Sequence, residues 1–367
     1  MTTSRAALWQ RLSEAGLVSG PLPDRTEPAS PWFVRIMLGV AGWIGALFLL
    51  GFVGVGLAFV FRSEATALFV GALCCAAAYA VFARAGRNEL ALQFGLAVSF
   101  AGQVMFIYGL HEGLVGSQSP IFFVLVAAFE GALAYLFTSF IHRVWSAFAA
   151  ATALGYALNM FGLYGVGTAL IGGTLGTIWL KEELWAARGA FWRAAAWGLA
   201  FAFVQPTSYL DDIGRSMRPL DPTFQIAGIV WIKSILAVGV LIFVVYKILE
   251  RYGVEIASTT GVAALAASAG IGAATLRAPG IASSLVIVLL GFASGSRALF
   301  GFGIVAMLSY LSHFYYSLQL TLLMKSMALA GTGVALVVMW AVMRIVFPQG
   351  PEVRGSEGSN LRRFEGS

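Results

Sequence analysis

The chain has 367 residues, of which 59% are hydrophobic and only 11% charged, with a formal net charge of +6. A soluble domain carries about 25% charged residues and roughly 45–50% apolar ones. With a mean hydropathy of +0.84, this composition excludes an ordinary soluble enzyme, a disordered chain and a disulfide scaffold, and leaves an all-α, polytopic membrane protein.

The first 35 residues are polar enough to sit in water. Within them Ser4 to Leu17 reads as a short helix, with Leu8, Leu12 and Ala15 on one side, ended by Gly16, Gly20, Pro21 and Pro23. The first long apolar run begins only at Ile36, which is the wrong place for a cleavable signal peptide. Uncharged runs long enough to cross about 30 Å of hydrocarbon follow at 36–61, 65–83, 90–110, 120–141, 223–246, 255–276, 280–296, 298–318 and 326–343. Residues 144–180 carry no charge, and one helix of that length is too long for a single span. The patch Phe161-Gly-Leu-Tyr-Gly165 offers a turn, so the run is divided into 144–160 and 164–180. Residues 194–210, only 17 residues with Pro206 near the end, give the weakest span. The total is about twelve, with ten as the alternative.

The basic residues test this count independently. Twelve spans put both termini on one side, together with Arg84, Arg87, Arg143, Lys181, Arg188, Arg193, Lys247, Arg251 and Arg297. That side holds seventeen Lys or Arg. The other holds Arg62, Arg215, Arg218, Arg277 and Lys325, and Lys233 lies within a span. Both ends are therefore expected in the cytoplasm, and the net positive charge is an orientation signal that calls for no nucleic acid. The expected organisation is a cytoplasmic segment 1–35, a membrane domain 36–344 and a disordered cytoplasmic tail 345–367 rich in Gly, Pro, Ser, Glu and Arg.

Three ionisable side chains fall deep within spans: Glu130, Lys233 and His313. A lone charge at the bilayer centre costs at least ~2.5–3.5 kcal/mol. One acid and two bases at similar depth point to mutual compensation, with Glu130 paired to Lys233 or His313. Such a pair serves either a proton- or ion-coupled path or the fixing of helix register. Ser309, His313, Ser317 and Thr321 recur every four residues and so line one helical stripe. The stripe either lines a pore or ligand site or hydrogen-bonds between helices. Gln103, Asn159, Gln205 and Gln225 stand as isolated polar residues of the kind that bond helix to helix. The row Gly165/Ala169/Gly173 and the pair Gly172/Gly176 let helices approach closely.

Enzyme signatures are absent. His111-Glu112 would open a zinc-protease motif, but Val115 stands in the place of its second histidine. Gly291-Phe-Ala-Ser-Gly295 has its serine at the wrong spacing for a nucleophile elbow. Adjacent Cys74 and Cys75 suit neither a disulfide nor a metal. No catalytic residue, metal or cofactor is expected.

Two stretches carry a family resemblance. Pro31-Trp-Phe-Val-Arg35 running into Gly42-Trp-Ile-Gly-Ala-Leu-Phe-Leu-Leu-Gly51, and His313-Phe-Tyr-Tyr-Ser-Leu-Gln-Leu-Thr-Leu-Leu-Met-Lys-Ser326, resemble a bacterial multi-pass membrane family known as domain of unknown function four-four-zero-one. The likeness extends over about residues 30–345. It implies an integral protein of the inner (plasma) membrane, often encoded beside GDYXXLXY-motif proteins, and an acid in relatives where Gln319 stands here. It carries over no catalytic or binding residue. The major facilitator transporters share the span count, but Ala83-Arg-Ala-Gly-Arg87 lacks the Asp of their loop pattern. The expectation is a non-enzymatic component of a membrane complex in the lipid bilayer, with a neighbour-encoded GDYXXLXY-type or other membrane partner docking on the outer loop 211–222. The alternative is a secondary transporter with a midplane site at Glu130, Lys233 and His313.

Overall fold

The computed structural model describes residues 5–16, 19–21, 58–86, 89–115, 119–205, 227–276 and 279–317, with isolated positions among 37–51 and 323–341. Most of the expected first span, the last span, the outer loop 211–222, the tail and Thr321 lie outside the described residues. Among the described residues the regular structure is entirely helical. Eleven labelled helices follow in chain order: α1 Arg5–Glu14, α2 Glu64–Ala85, α3 Glu89–Leu110, α4 Pro120–Leu136, α5 Phe140–Met160, α6 Val166–Leu180, α7 Gly189–Val204, α8 Ala227–Arg251, α9 Thr259–Ala274, α10 Pro279–Ala293 and α11 Arg297–Ser317. Among the described residues three segments, Glu64–Arg84, Ala91–Gly113 and Ile232–Arg251, are long and apolar enough to cross a membrane.

The helix boundaries follow caps and turns rather than charges. The expected span 120–141 ends at Leu136, because Phe137 turns to extended backbone and Ser139 starts the next helix in the same conformation. Phe137 is itself 1% exposed and packs with Cys75, Ala78, Phe82, Leu96 and Leu133. Arg143, placed by the charge criterion in a loop, therefore lies in the first turn of α5. The long uncharged run does break at Phe161–Gly165, where Gly162 and Gly165 take φ of +81° and +76°, a left-handed backbone that glycine adopts without strain. At the start of α4, Pro120 occupies the first turn and the Ser119 hydroxyl accepts from the Ile121 N–H. Three consecutive pairs, α2–α3, α4–α5 and α10–α11, are each joined by a three-residue connection.

The chain divides into two compact units, residues 1–167 with 181–202 and residues 168–180 with 203–367. In unit 1, α2 and α3 run antiparallel with their backbones in contact. A Cβ added at Gly102 would lie 2.8 Å from both the Cys74 Cβ and the Gly71 carbonyl oxygen, and one at Gly109 would lie 2.7 Å from the Glu64 carbonyl oxygen. Gly95, Gly102 and Gly109 are seven residues apart, which keeps them on one face of α3. The helix α7 reaches α5 in the same way, through Gly198 against Val144 and Ala147. Rings close both ends of this unit. At one end Phe82 meets Phe137, Tyr135 meets Phe191, and the Arg143 guanidinium sits 5.5 Å from the Phe191 ring. At the other His111 meets Phe122 and Phe123 stacks on Tyr156.

In unit 2, Gly172 of α6 admits Phe203 and Val240, and Gly176 admits Val244, so the small-residue pair seats α6 on α8. Gly173 of the parallel row has nothing within 4 Å of an added Cβ. Arg251 at the end of α8 donates to the Leu180 carbonyl at 3.4 Å. The helices α10 and α11 form a hairpin about Gly295, with Gly291 against Phe300 and Gly303 against Val288. The Tyr310 hydroxyl of α11 donates to the Val204 carbonyl.

Candidate functional site

Among apolar helices, a polar side chain is informative when it is fully buried. Unit 1 gathers five of them. Glu130 on α4 is 1% exposed, His142 and Ser146 on α5 are 0%, and Ser99 and Gln103 on α3 are 0% and 3%. Each of the two pairs is four residues apart, one above the other on a helical face. The break at Phe137–Ser139 is what lets α5 begin early enough to bring His142 into the interior.

Hydrogen bonds link three of the helices, α2, α3 and α5. Ser99 Oγ lies 2.8 Å from His142 Nε2, and the Gln103 amide nitrogen lies 3.1 Å from the same ring nitrogen. The Gln103 amide also donates to Ser99 Oγ at 3.3 Å. From α2, the Cys75 thiol donates weakly to the Ser99 carbonyl at 3.8 Å. With the amide nitrogen of Gln103 facing the ring, His142 Nε2 is an acceptor, and the proton of the neutral imidazole sits on Nδ1. The ring is held by aromatics. Phe137 stacks on it with centroids 3.9 Å apart and planes within 7°, Phe100 is parallel at 6.0 Å, and Phe82 presents an edge at 6.1 Å.

The other half of the cluster is not satisfied. The Ser146 hydroxyl lies beside the Glu130 carboxyl without closing a hydrogen bond. Glu130 Oε2, Ser146 Oγ and His142 Nδ1 are all buried with no hydrogen-bond partner. A buried polar atom left unpaired costs about 1–3 kcal/mol. The three lie on two adjoining helices, with Ser146 beside Glu130 and His142 one turn before Ser146 on the same helix. Among the described residues no group of three or more His, Cys, Asp or Glu could hold a metal ion.

The remaining sequence candidates lie in unit 2. Lys233 is half-buried on α8 beside the fully buried Ser234. Ser309 and His313 are exposed on α11, and Ser317 closes that helix. Glu130 belongs to unit 1, where the Ser146 hydroxyl, on the helix that also carries His142, lies beside it. Gln103 is not the isolated residue its surroundings in sequence suggest, because it joins Ser99 and His142. In sequence His142 adjoins Arg143, and a boundary drawn at the first charge assigns both to a loop. The signal that finds it is the serine cap at Ser139 followed by the four-residue spacing of His142 and Ser146, mirrored by Ser99 and Gln103.

No curated protein and no solved structure matches the chain. The model of the family described as Domain of unknown function (DUF4401) matches residues 31–345. That match spans most of the chain, and the protein belongs to the DUF4401 family.

Proposed function

We propose that the protein is a multi-pass integral protein of the bacterial inner membrane, with about twelve spans and both termini cytoplasmic, and that it carries a proton or small cation across the membrane at the Glu130 cluster. It is read as a secondary transporter without covalent chemistry. The observation that carries this is the grouping of three unpartnered buried atoms, Glu130 Oε2, Ser146 Oγ and His142 Nδ1, inside an apolar helical unit. Ionisable groups in such surroundings mark ion and proton paths. The membrane topology draws support from the ends of unit 1. Arg143 and the segment with Arg188 and Arg193, which the charge count assigns to the inner side, meet at Phe191 and Trp192, while His111 and Glu112 lie with Phe122 at the other end. Aromatic rings beside basic residues suit a membrane interface.

The test is proton movement in proteoliposomes loaded with a pH-sensitive dye, driven by a potassium diffusion potential. Wild-type protein should speed the internal pH change over protein-free vesicles. Glu130→Gln should slow it by at least about tenfold, equivalent to ~1.4 kcal/mol on the barrier. Wild-type vesicles no faster than empty ones would remove the transporter reading. A non-enzymatic component of a membrane complex, checked by co-purification with a GDYXXLXY-type partner, would then take its place.

A further inference from the structure

The donor and acceptor character of the three unpartnered atoms restricts what they can hold. Glu130 Oε2 is an acceptor, and Ser146 Oγ can give or take a hydrogen bond. His142 Nδ1 is a donor, because the Gln103 amide faces Nε2 and leaves the ring proton on the other nitrogen. An occupant must therefore both donate and accept. A bare metal cation finds only two side-chain oxygens and faces an N–H that repels it. An ammonium ion has no lone pair for Nδ1–H. Water meets all three demands, and a buried water typically makes about three hydrogen bonds to protein polar groups.

We infer that Glu130, Ser146 and His142 hold a water molecule in common, and that the ion this site exchanges is the proton rather than sodium. This rests on the transport reading only for its purpose; the binding chemistry stands by itself. The step balances simply. A hydronium arriving beside the held water gives it one proton as the held water gives another to Glu130 Oε2, so one O–H bond of the held water breaks as one forms, the carboxyl becomes protonated, and neutral water stays on Ser146 and His142. The reverse step returns the proton. Ser99 and Gln103 act as positioning residues, fixing the ring nitrogen that carries the hydrogen.

Infrared difference spectra of the full-length protein in detergent micelles, recorded between acidic and alkaline buffers, test this. The expected signature is a protonated-carboxyl C=O band that moves down in D2O and vanishes in Glu130→Gln. It should be identical in sodium chloride and choline chloride at fixed pH. Ser146→Ala, a small change that should leave the protein folded, should shift the band without abolishing it. The inference is overturned by a band that sodium removes at fixed pH, by a band indifferent to both Ser146→Ala and His142→Phe, or by no Glu130 band at any pH. A normal band with no proton flux sinks the transport reading alone. Normal flux with a sodium-sensitive band sinks the proton inference alone.

Discussion

Gln103 serves two partners with one amide, and its loss would remove two buried hydrogen bonds and leave Ser99 Oγ and His142 Nε2 only each other. Gln103→Leu should therefore lower stability by about 1–3 kcal/mol, read as a fall in the thermal unfolding midpoint in detergent. Glu130→Gln behaves differently. An uncharged amide of the same shape still offers an acceptor and adds a donor, so the unfolding midpoint should hold while proton movement is lost. A fall in midpoint as large as that of Gln103→Leu would make Glu130 a structural residue. At this scale the sequence discloses some residues and hides others for a physical reason. Glu130 stands out because it is the one charge in a long uncharged run. His142 and Ser99 do not, since a histidine beside an arginine and a serine in a helix are ordinary until three helices bring them together.

Helix contacts turn on which glycine faces which neighbour. Gly172 and Gly173 are adjacent, yet a Cβ at Gly172 would press within 2.6 Å of the Phe203 ring, while one at Gly173 meets nothing. Gly172→Ala should destabilise the protein by about 1–3 kcal/mol through overpacking. Gly173→Ala should be neutral or stabilising by up to ~1 kcal/mol through helix propensity. The pair of thermal midpoints checks this, and equal shifts would refute the packing assignment. Both small-residue rows are visible in the sequence, but Gly173 of one meets nothing while the Gly172/Gly176 pair is filled, because spacing gives the face of a helix and not its partner. The glycine seam on α3 at Gly95, Gly102 and Gly109 is equally readable once α2 is known to lie against it. Boundaries were the less legible part. Charge dates the end of hydrocarbon, whereas a helix ends where the backbone turns extended, as it does at the buried Phe137 and again at Ser139.

The class of the molecule follows from composition, because 11% charge cannot cover a water-soluble surface. The pairing of helices does not, since every apolar face resembles the next. Topology remains the whole-molecule prediction. In a background with Cys74→Ala and Cys75→Ala, Arg188→Cys should react with a membrane-impermeant maleimide only in inverted vesicles. Glu112→Cys should react only in spheroplasts. Labelling of both from the same side would refute the arrangement of unit 1. The three-residue connections that join α2 to α3, α4 to α5 and α10 to α11 bear on how such a protein is made. Closing so short a loop costs little entropy, and contacts between sequence neighbours form early. On the membrane reading, each hairpin can leave the ribosome and enter the bilayer as a finished pair, the glycine seams of α2–α3 and α10–α11 already filled, before the next is synthesised. The buried polar cluster, which needs α3, α4 and α5 together, is then completed when the second hairpin docks on the first, so biogenesis shelters each polar face only as its partner arrives.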